Sequence, residues 1–307
     1  MKKILFTAFV VLLTFIDAEA QQDPQYTQYM YNLNVINPAY AGSKENLSFG
    51  LLYRKQWVDI QDAPTTMTFS GSSPVGKNVG LGLNVVSDKI GPAEATNLNA
   101  DFSYTLNLGG EHKLAFGIKA GANILNASLT DLDLPDANDP LFSENINRTN
   151  FGLGAGLFYN TDKYYISFSI PNMLTSPYLE SKDGGESLNY GETSLHYYLS
   201  GGYVFDLNPN LKFKPTVMLQ SAFNVPMSVD FTANFLINEK LELGAAYRLE
   251  DSVDFMINYA ITPNLKIGYA YDYILSDLNV TTTSSHELML LFDLNFPKKV
   301  SQSPRFF

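Results

Sequence analysis

Period-two alternation is the feature that most narrows what this chain can become, and residues 265–273, LKIGYAYDY, show it in small. Leu265, Ile267, Tyr269, Tyr271 and Tyr273 alternate with Lys266, Gly268, Ala270 and Asp272. A β-strand sends successive side chains to opposite faces, so this stretch has one apolar face and one polar, partly bare face. The pattern recurs: Leu98, Ala100, Phe102 and Tyr104 interleave with Asn97, Asn99, Asp101 and Ser103, and Leu288, Leu290, Phe292, Leu294 and Phe296 follow the same rule. Fourteen strands are predicted, over 46–57, 65–73, 78–87, 95–108, 113–125, 150–160, 163–170, 194–206, 211–221, 226–237, 240–249, 253–261, 264–274 and 286–296. Helical periodicity is scarce after residue 45.

The connections alternate too. Short turns rich in Gly, Asn, Asp and Pro (76–78, 109–112, 160–163, 207–210, 238–239, 262–264) are interspersed with mostly longer links at 54–64, 88–94, 126–149, 171–193, 222–225, 250–252 and 275–285. Short turns at one end and longer loops at the other are the pattern of an outer-membrane barrel. The polar faces carry Asp101, Asp230, Glu242, Arg248, Lys266, Asp272 and Asp293, too many charges for a soluble sandwich core without close pairing. They also carry bare glycines (80, 82, 117, 121, 152, 154, 156, 244 and 268) that would leave voids in such a core. The predicted fold is therefore all-β, a transmembrane antiparallel β-barrel of about 14 strands over 46–296, with its greasy face in lipid and both termini periplasmic.

Met1–Ala20 has Lys2 and Lys3, an apolar run and Ala-Glu-Ala, the pattern of a secretory signal cut after Ala20. The chain has no cysteine, so stability must come from strand pairing and burial, and a lipid-anchored cysteine is excluded. Its net charge of −11 argues against nucleic acid. His112, His196 and His286 fall in a short turn and at the starts of two non-adjacent strands, so no nucleophile-base pair is expected; the chain reads as a non-enzyme with no cofactor. Asp131, Asp133, Asp136 and Asp139 crowd the longest loop, where carboxylates can bind calcium, but an EF-hand's glycine and closing glutamate are missing, so a solvated acidic loop fits better.

Residues 21–45, QQDPQYTQYMYNLNVINPAYAGSKE, break the alternation. Tyr26, Tyr29 and Met30 can line one side of a short helix before Asn-Pro-Ala ends it, in a segment placed in the lumen or across its periplasmic mouth; residues 297–307 are a periplasmic tail. QDPQYTQYMYNLNVINPAYAGS, LLYRKQWVDIQDAPTTMTFSGSSPV and NVGLGLNVVSDKIGP, with FGLGAGLFYNTDKYYISFSIPNM, LKIGYAYDY and SHELMLLFDL, resemble the PorP/SprF family of the Bacteroidetes type IX secretion system over essentially the whole mature chain. The resemblance implies an integral outer-membrane protein that works with type IX secretion and gliding motility. It also implies partners: the C-terminal domain of a large secreted, adhesin-like surface protein, and other components of that machinery.

Two functions follow as expectations. One is a barrel that binds that C-terminal domain and anchors the secreted protein or supports its secretion; the other is a passive solute channel, consistent with mixed lumenal charge. Candidate partner-binding residues are Asn37, Pro38, Tyr40, Gly42, Arg54, Trp57, Arg248 and Asp272. Asn37–Gly42 fits a structural turn as well as a docking site, and Trp57 an interfacial anchor as well as a partner contact.

Overall fold

The computed structural model describes residues 24–44, 46–130, 144–174, 177–183, 186–192, 195–222 and 225–294. The signal segment, the acidic stretch 131–140, Phe296 and the tail 297–307 lie outside the described residues. The strands are β1 (Leu47–Lys55), β2 (Thr65–Pro74), β3 (Val79–Ile90), β4 (Ala93–Gly109), β5 (His112–Ala127), β6 (Ile146–Asn160), β7 (Tyr164–Ile170), β8 (Pro177–Asp183), β9 (Glu186–Glu192), β10 (His196–Tyr203), β11 (Phe205–Asn208), β12 (Leu211–Ala222), β13 (Val225–Ile237), β14 (Leu241–Arg248), β15 (Ser252–Thr262), β16 (Leu265–Ile274) and β17 (Ser284–Leu294).

Every barrel strand pairs antiparallel with its neighbours, and β1 closes on β17 from Leu47 opposite Leu294 to Lys55 opposite His286. On the far side β10 bridges β7 and β12. Strands β10 and β11 are one barrel strand interrupted at Val204, so the cylinder has 14 staves and no free edge. Two links differ from the sequence reading. Within 171–193 the chain makes a separate two-stranded ribbon, β8–β9, and the link 88–94 tightens to Gly91-Pro92, with Gly91 at φ +55°.

The faces sort by solvent. On β16, Ala270 and Asp272 are 0–1% exposed, whereas Ile267 and Tyr273 are each 42% exposed. The apolar face is the outer one, and Leu51, Leu83, Ile118, Leu153, Phe231 and Leu288 continue it around the wall. At the short-turn rim an outward row of rings runs from His112 through Tyr159, Tyr164, Tyr203, Phe205 and Phe213 to Phe235, with successive centroids 4.4–6.1 Å apart. Amphipathic rings gather where hydrocarbon meets headgroups, so this row marks one membrane boundary.

A tilted strand crosses the bilayer in about 9–11 residues, and β14 and β16 have 8 and 10. Strands β4, β5 and β6 have 17, 16 and 15. Their excess lies at the long-loop end, where the outer positions become Glu94, Thr96, Asn126, Asn147 and Thr149. Here the barrel wall stands clear of the membrane.

Candidate functional site

The lumen is occupied by the chain's own residues 24–44. A 3-10 turn at Tyr29–Tyr31 leads into one helical turn at Leu33–Ile36 and a second 3-10 turn at Pro38–Tyr40, so the helix lies later than Tyr26–Met30. Asn37 ends it: the residue before a proline is pushed out of helical geometry, and Asn37 is extended at φ −131°, ψ 110°. Its side chain accepts from Ala39 N–H at 2.9 Å and donates to Ser167 Oγ at 2.7 Å on the wall.

The inward glycines are seats for this segment. A Cβ at Gly117 would overlap the backbone of Pro38 and Ala39, and one at Gly80 would overlap Ala41. Gly82, Gly156 and Gly268 face the amide side chains of Asn34, Asn37 and Gln28. Gly42, at φ +70°, lets the chain turn out beside Ser73, Pro74 and Gly80.

Charged side chains on the wall hold the segment's other end. Arg54 Nη1 pairs with Asp272 at 2.7 Å and Glu287 at 3.4 Å, and donates to Thr27 Oγ1 at 2.8 Å. Thr27 Oγ1 in turn donates to Asp272 at 2.7 Å, and the backbone N–H groups of Thr27 and Gln28 each donate to Glu287 at 2.9 Å. Arg248 pairs with Asp230 at 2.8 Å and donates to Tyr26 O at 3.3 Å and Gln25 Oε1 at 3.2 Å. Tyr31 donates to Glu242, which also pairs with Lys214 at 2.9 Å. Lys119, paired with Asp101 at 3.0 Å, donates to Val35 O at the same distance. The Tyr29 hydroxyl lies 3.1 Å from Thr216 Oγ1 on the wall. With these contacts made, Thr66, Asn84, Ser103, Ser169, Ala270 and Glu287 of the inner wall are 0% exposed.

The segment is threaded. Gly42 lies at the short-turn end, whereas Pro24, Gln25 and Tyr26 reach the long-loop end, where they floor a chamber of about 830 Å³. The barrel strands begin and end together at the short-turn rim, Leu47 beside Leu294, but the residues ahead of β1 run back up the lumen to the opposite mouth. The barrel strands thus start and finish at the short-turn side while Pro24 lies at the opposite mouth; the two chain ends, expected to be periplasmic, lie outside the described residues. Val35 and Ile36 complete the floor, while Arg54, Trp57, Arg248 and Asp272 contribute to its sides together with Asn84, Asn97, Asn99, Asn123 and Asn150 from the tall β3–β6 wall.

Of the sequence-predicted site residues, Arg54, Trp57, Arg248 and Asp272 line the chamber together. Asn37, Pro38 and Tyr40 are buried against the wall lower down, with the Tyr40 ring 5.2 Å edge-on from Phe158, and Gly42 lies lower still. Trp57 sits just past β1 at φ +46°, a conformation that bulky residues rarely adopt, with its N–H bonded to Ser285 Oγ at 3.1 Å. Sequence reasoning placed Glu242 on the inner face but passed over Thr27, Glu287, Lys119, Lys214 and the asparagines as site residues. The inward register of the wall residues was readable, but their partners on a segment without periodicity, Thr27 among them, were not. His112 and His286 bond Tyr159 and Tyr269 on the outer surface, and His196 faces inward; among the described residues no group of three or more His, Asp or Glu side chains converges as a metal site.

A closed cylinder of antiparallel staves, apolar outside and charged within, defines the class as a β-barrel of the outer membrane. A family described as type IX secretion system membrane protein PorP/SprF matches residues 18–292, and the chain belongs to that family. Among solved structures it is similar to the Ralstonia pickettii toluene transporter TbuX, at 15% identity over 85% of this chain and 92% of that one, with a TM-score of 0.51. It is also similar to the P. putida toluene transporter TodX, at 13% identity over 86% and 94%, also with a TM-score of 0.51. At such identities the likeness establishes the fold alone. No curated protein sequence matches the chain.

Proposed function

We propose that this barrel is a docking receptor: its long-loop face, turned to the cell exterior, receives the C-terminal domain of a type IX-secreted, adhesin-like surface protein and anchors that protein or supports its secretion, as gliding motility requires. The observation that carries this reading is that the chamber is blind. A solute channel needs a continuous wet path, whereas here the chain's own residues 24–44 fill the lumen beneath the chamber and leave much of its inner wall without solvent. A preformed concavity lowers the ordering cost of binding, and a cylinder hydrogen-bonded all round resists pulling. Trp57 is the partner-facing candidate; Arg54, Arg248 and Asp272 border the chamber but are nearly fully buried, and with Asn37, Pro38, Tyr40 and Gly42 they serve by holding the segment in place. Export by a signal cleaved after Ala20 belongs to the same reading.

The test is co-purification from cells that export a type IX-secreted surface protein, either intact or without its C-terminal domain. The intact protein is expected to accompany the barrel and the truncated one to be lost. Retention of the truncated protein would refute the docking role.

A further inference from the structure

The chamber's tall wall carries a row of carboxamides to which nothing above assigns a purpose. Asn97 stands directly opposite Asn123, and Asn123 opposite Asn150, on three successive strands. All three are inward-facing, half-buried and part of the chamber lining. Asn123 Nδ2 donates to Asn97 Oδ1 at 2.7 Å, which orients the pair. Each carboxamide offers two donors and one acceptor, so the row keeps hydrogen-bonding capacity toward the open space.

The charges beside the row are already matched within the protein: Arg54 with Asp272 and Glu287, Lys119 with Asp101, and Asp88 with the Thr66 hydroxyl at 2.6 Å. Across the chamber Arg248 pairs with Asp230 and Asp251, and Glu250 follows β14 there. What the β4–β6 wall itself presents is therefore neutral and amide-like. Lower down, the same lumen already shows how it treats a polypeptide. Arg248, Lys119 and Ser103 donate to the main-chain carbonyls of Tyr26, Val35 and Ala41, and Glu287 accepts from two main-chain N–H groups. The barrel thus reads an irregular chain through its backbone.

We infer that the Asn97–Asn123–Asn150 row is a second polypeptide site, which binds the main chain of an extended, uncharged segment seated on the floor of Tyr26, Val35 and Ile36. This rests on the docking role proposed above and deepens it. A space of about 830 Å³ admits a projecting strand or tail but no folded domain.

Trp57 is the chain's single tryptophan and lines the chamber, so its fluorescence reports on occupancy. The barrel purified in detergent micelles is titrated with a blocked peptide of serine, threonine, glycine and valine, with peptides of like length made of lysine or glutamate, and with maltohexaose. The neutral peptide is expected to shift Trp57 emission saturably and with the tightest binding of the set. Asn97→Ala/Asn123→Ala and, separately, Asn150→Ala are expected to weaken it at least about tenfold, the scale of one or two lost hydrogen bonds. Heat-modifiable migration on gels checks that each variant is folded. Unchanged peptide binding in folded variants, tighter binding of a charged peptide, or a saturable response to maltohexaose with none to the neutral peptide would overturn the inference. Titrating the partner's C-terminal domain separates the two ideas. If the domain binds the barrel and the asparagine variants equally, the peptide row fails while the docking role stands. A domain that does not bind the unaltered barrel removes the docking role itself.

Discussion

Arg54 joins the wall to the threaded segment, and replacing it with methionine tests that junction. The side chain is 2% exposed and makes three contacts: Asp272 at 2.7 Å, Glu287 at 3.4 Å and Thr27 at 2.8 Å. Methionine fills most of the volume but leaves two carboxylates with no cation directly between them. Removing one partner of a buried ion pair costs about 3–5 kcal/mol, because the remaining charge is stranded. Part of that strain is relieved when Thr27 and Gln28 let go of Glu287 and water enters. If the full cost falls on the docked segment, its undocked population rises roughly 10²- to 4 × 10³-fold, at roughly 1.4 kcal/mol per tenfold. The assay is planar-bilayer conductance. The unaltered barrel is expected to be silent, and Arg54→Met to open in bursts that become more frequent by that factor. Lys55→Met, at the next, outward position, is the control and should stay silent. An unaltered barrel with a large steady conductance, or a folded Arg54→Met barrel as quiet as its parent, would refute this reasoning.

Gly117→Leu should expel the segment by another route, since any Cβ there overlaps the backbone of Ala39; proteolysis at Lys44 is expected to rise from the parent's level, and cleavage no faster than the parent's would contradict the seat. Ile118→Arg, one residue along but on the lipid face at 63% exposure, should cost about 2–4 kcal/mol of barrel stability, read as a lower melting point in heat-modifiable gel migration. Tyr31→Phe removes one donor to Glu242 while leaving Lys214 in place, so about 1–3 kcal/mol should be lost, measured in the same gels.

How much of this was readable follows from what each part must satisfy. Within the membrane the pattern has one solution: Leu98, Phe102 and Tyr104 need lipid, Asp101 and Ser103 need the lumen, and the fourteen predicted strands match the fourteen staves. Above the membrane that requirement lapses. Strand β6 starts at Ile146 rather than at 150, because four extra residues facing water on the outside need no greasy alternation. The ribbon β8–β9 escaped for the same reason: YLESKDGGESLNYGE is mixed on both faces and reads as a loop. The bare glycines were legible as lumenal, but not as seats, because their occupants come from a segment whose three short helical turns obey no single period. Arg248 and Asp272 could be picked out as inward charges, and Arg54 only as a candidate at the end of the first strand. That they grip Thr27, Tyr26 and Gln25 depends on threading, which no local pattern encodes.

The threading itself can be observed directly, since the chain has no native cysteine to interfere. Gln25→Cys would place a thiol on the chamber floor at the long-loop mouth, and Ser43→Cys one beside Gly42 at the opposite end. With a membrane-impermeant maleimide added to intact cells, Gln25→Cys should label and Ser43→Cys should not, while both label once the cells are opened. Labelling of Ser43→Cys alone in intact cells would mean that the segment enters from the other side and that the chamber does not face outward.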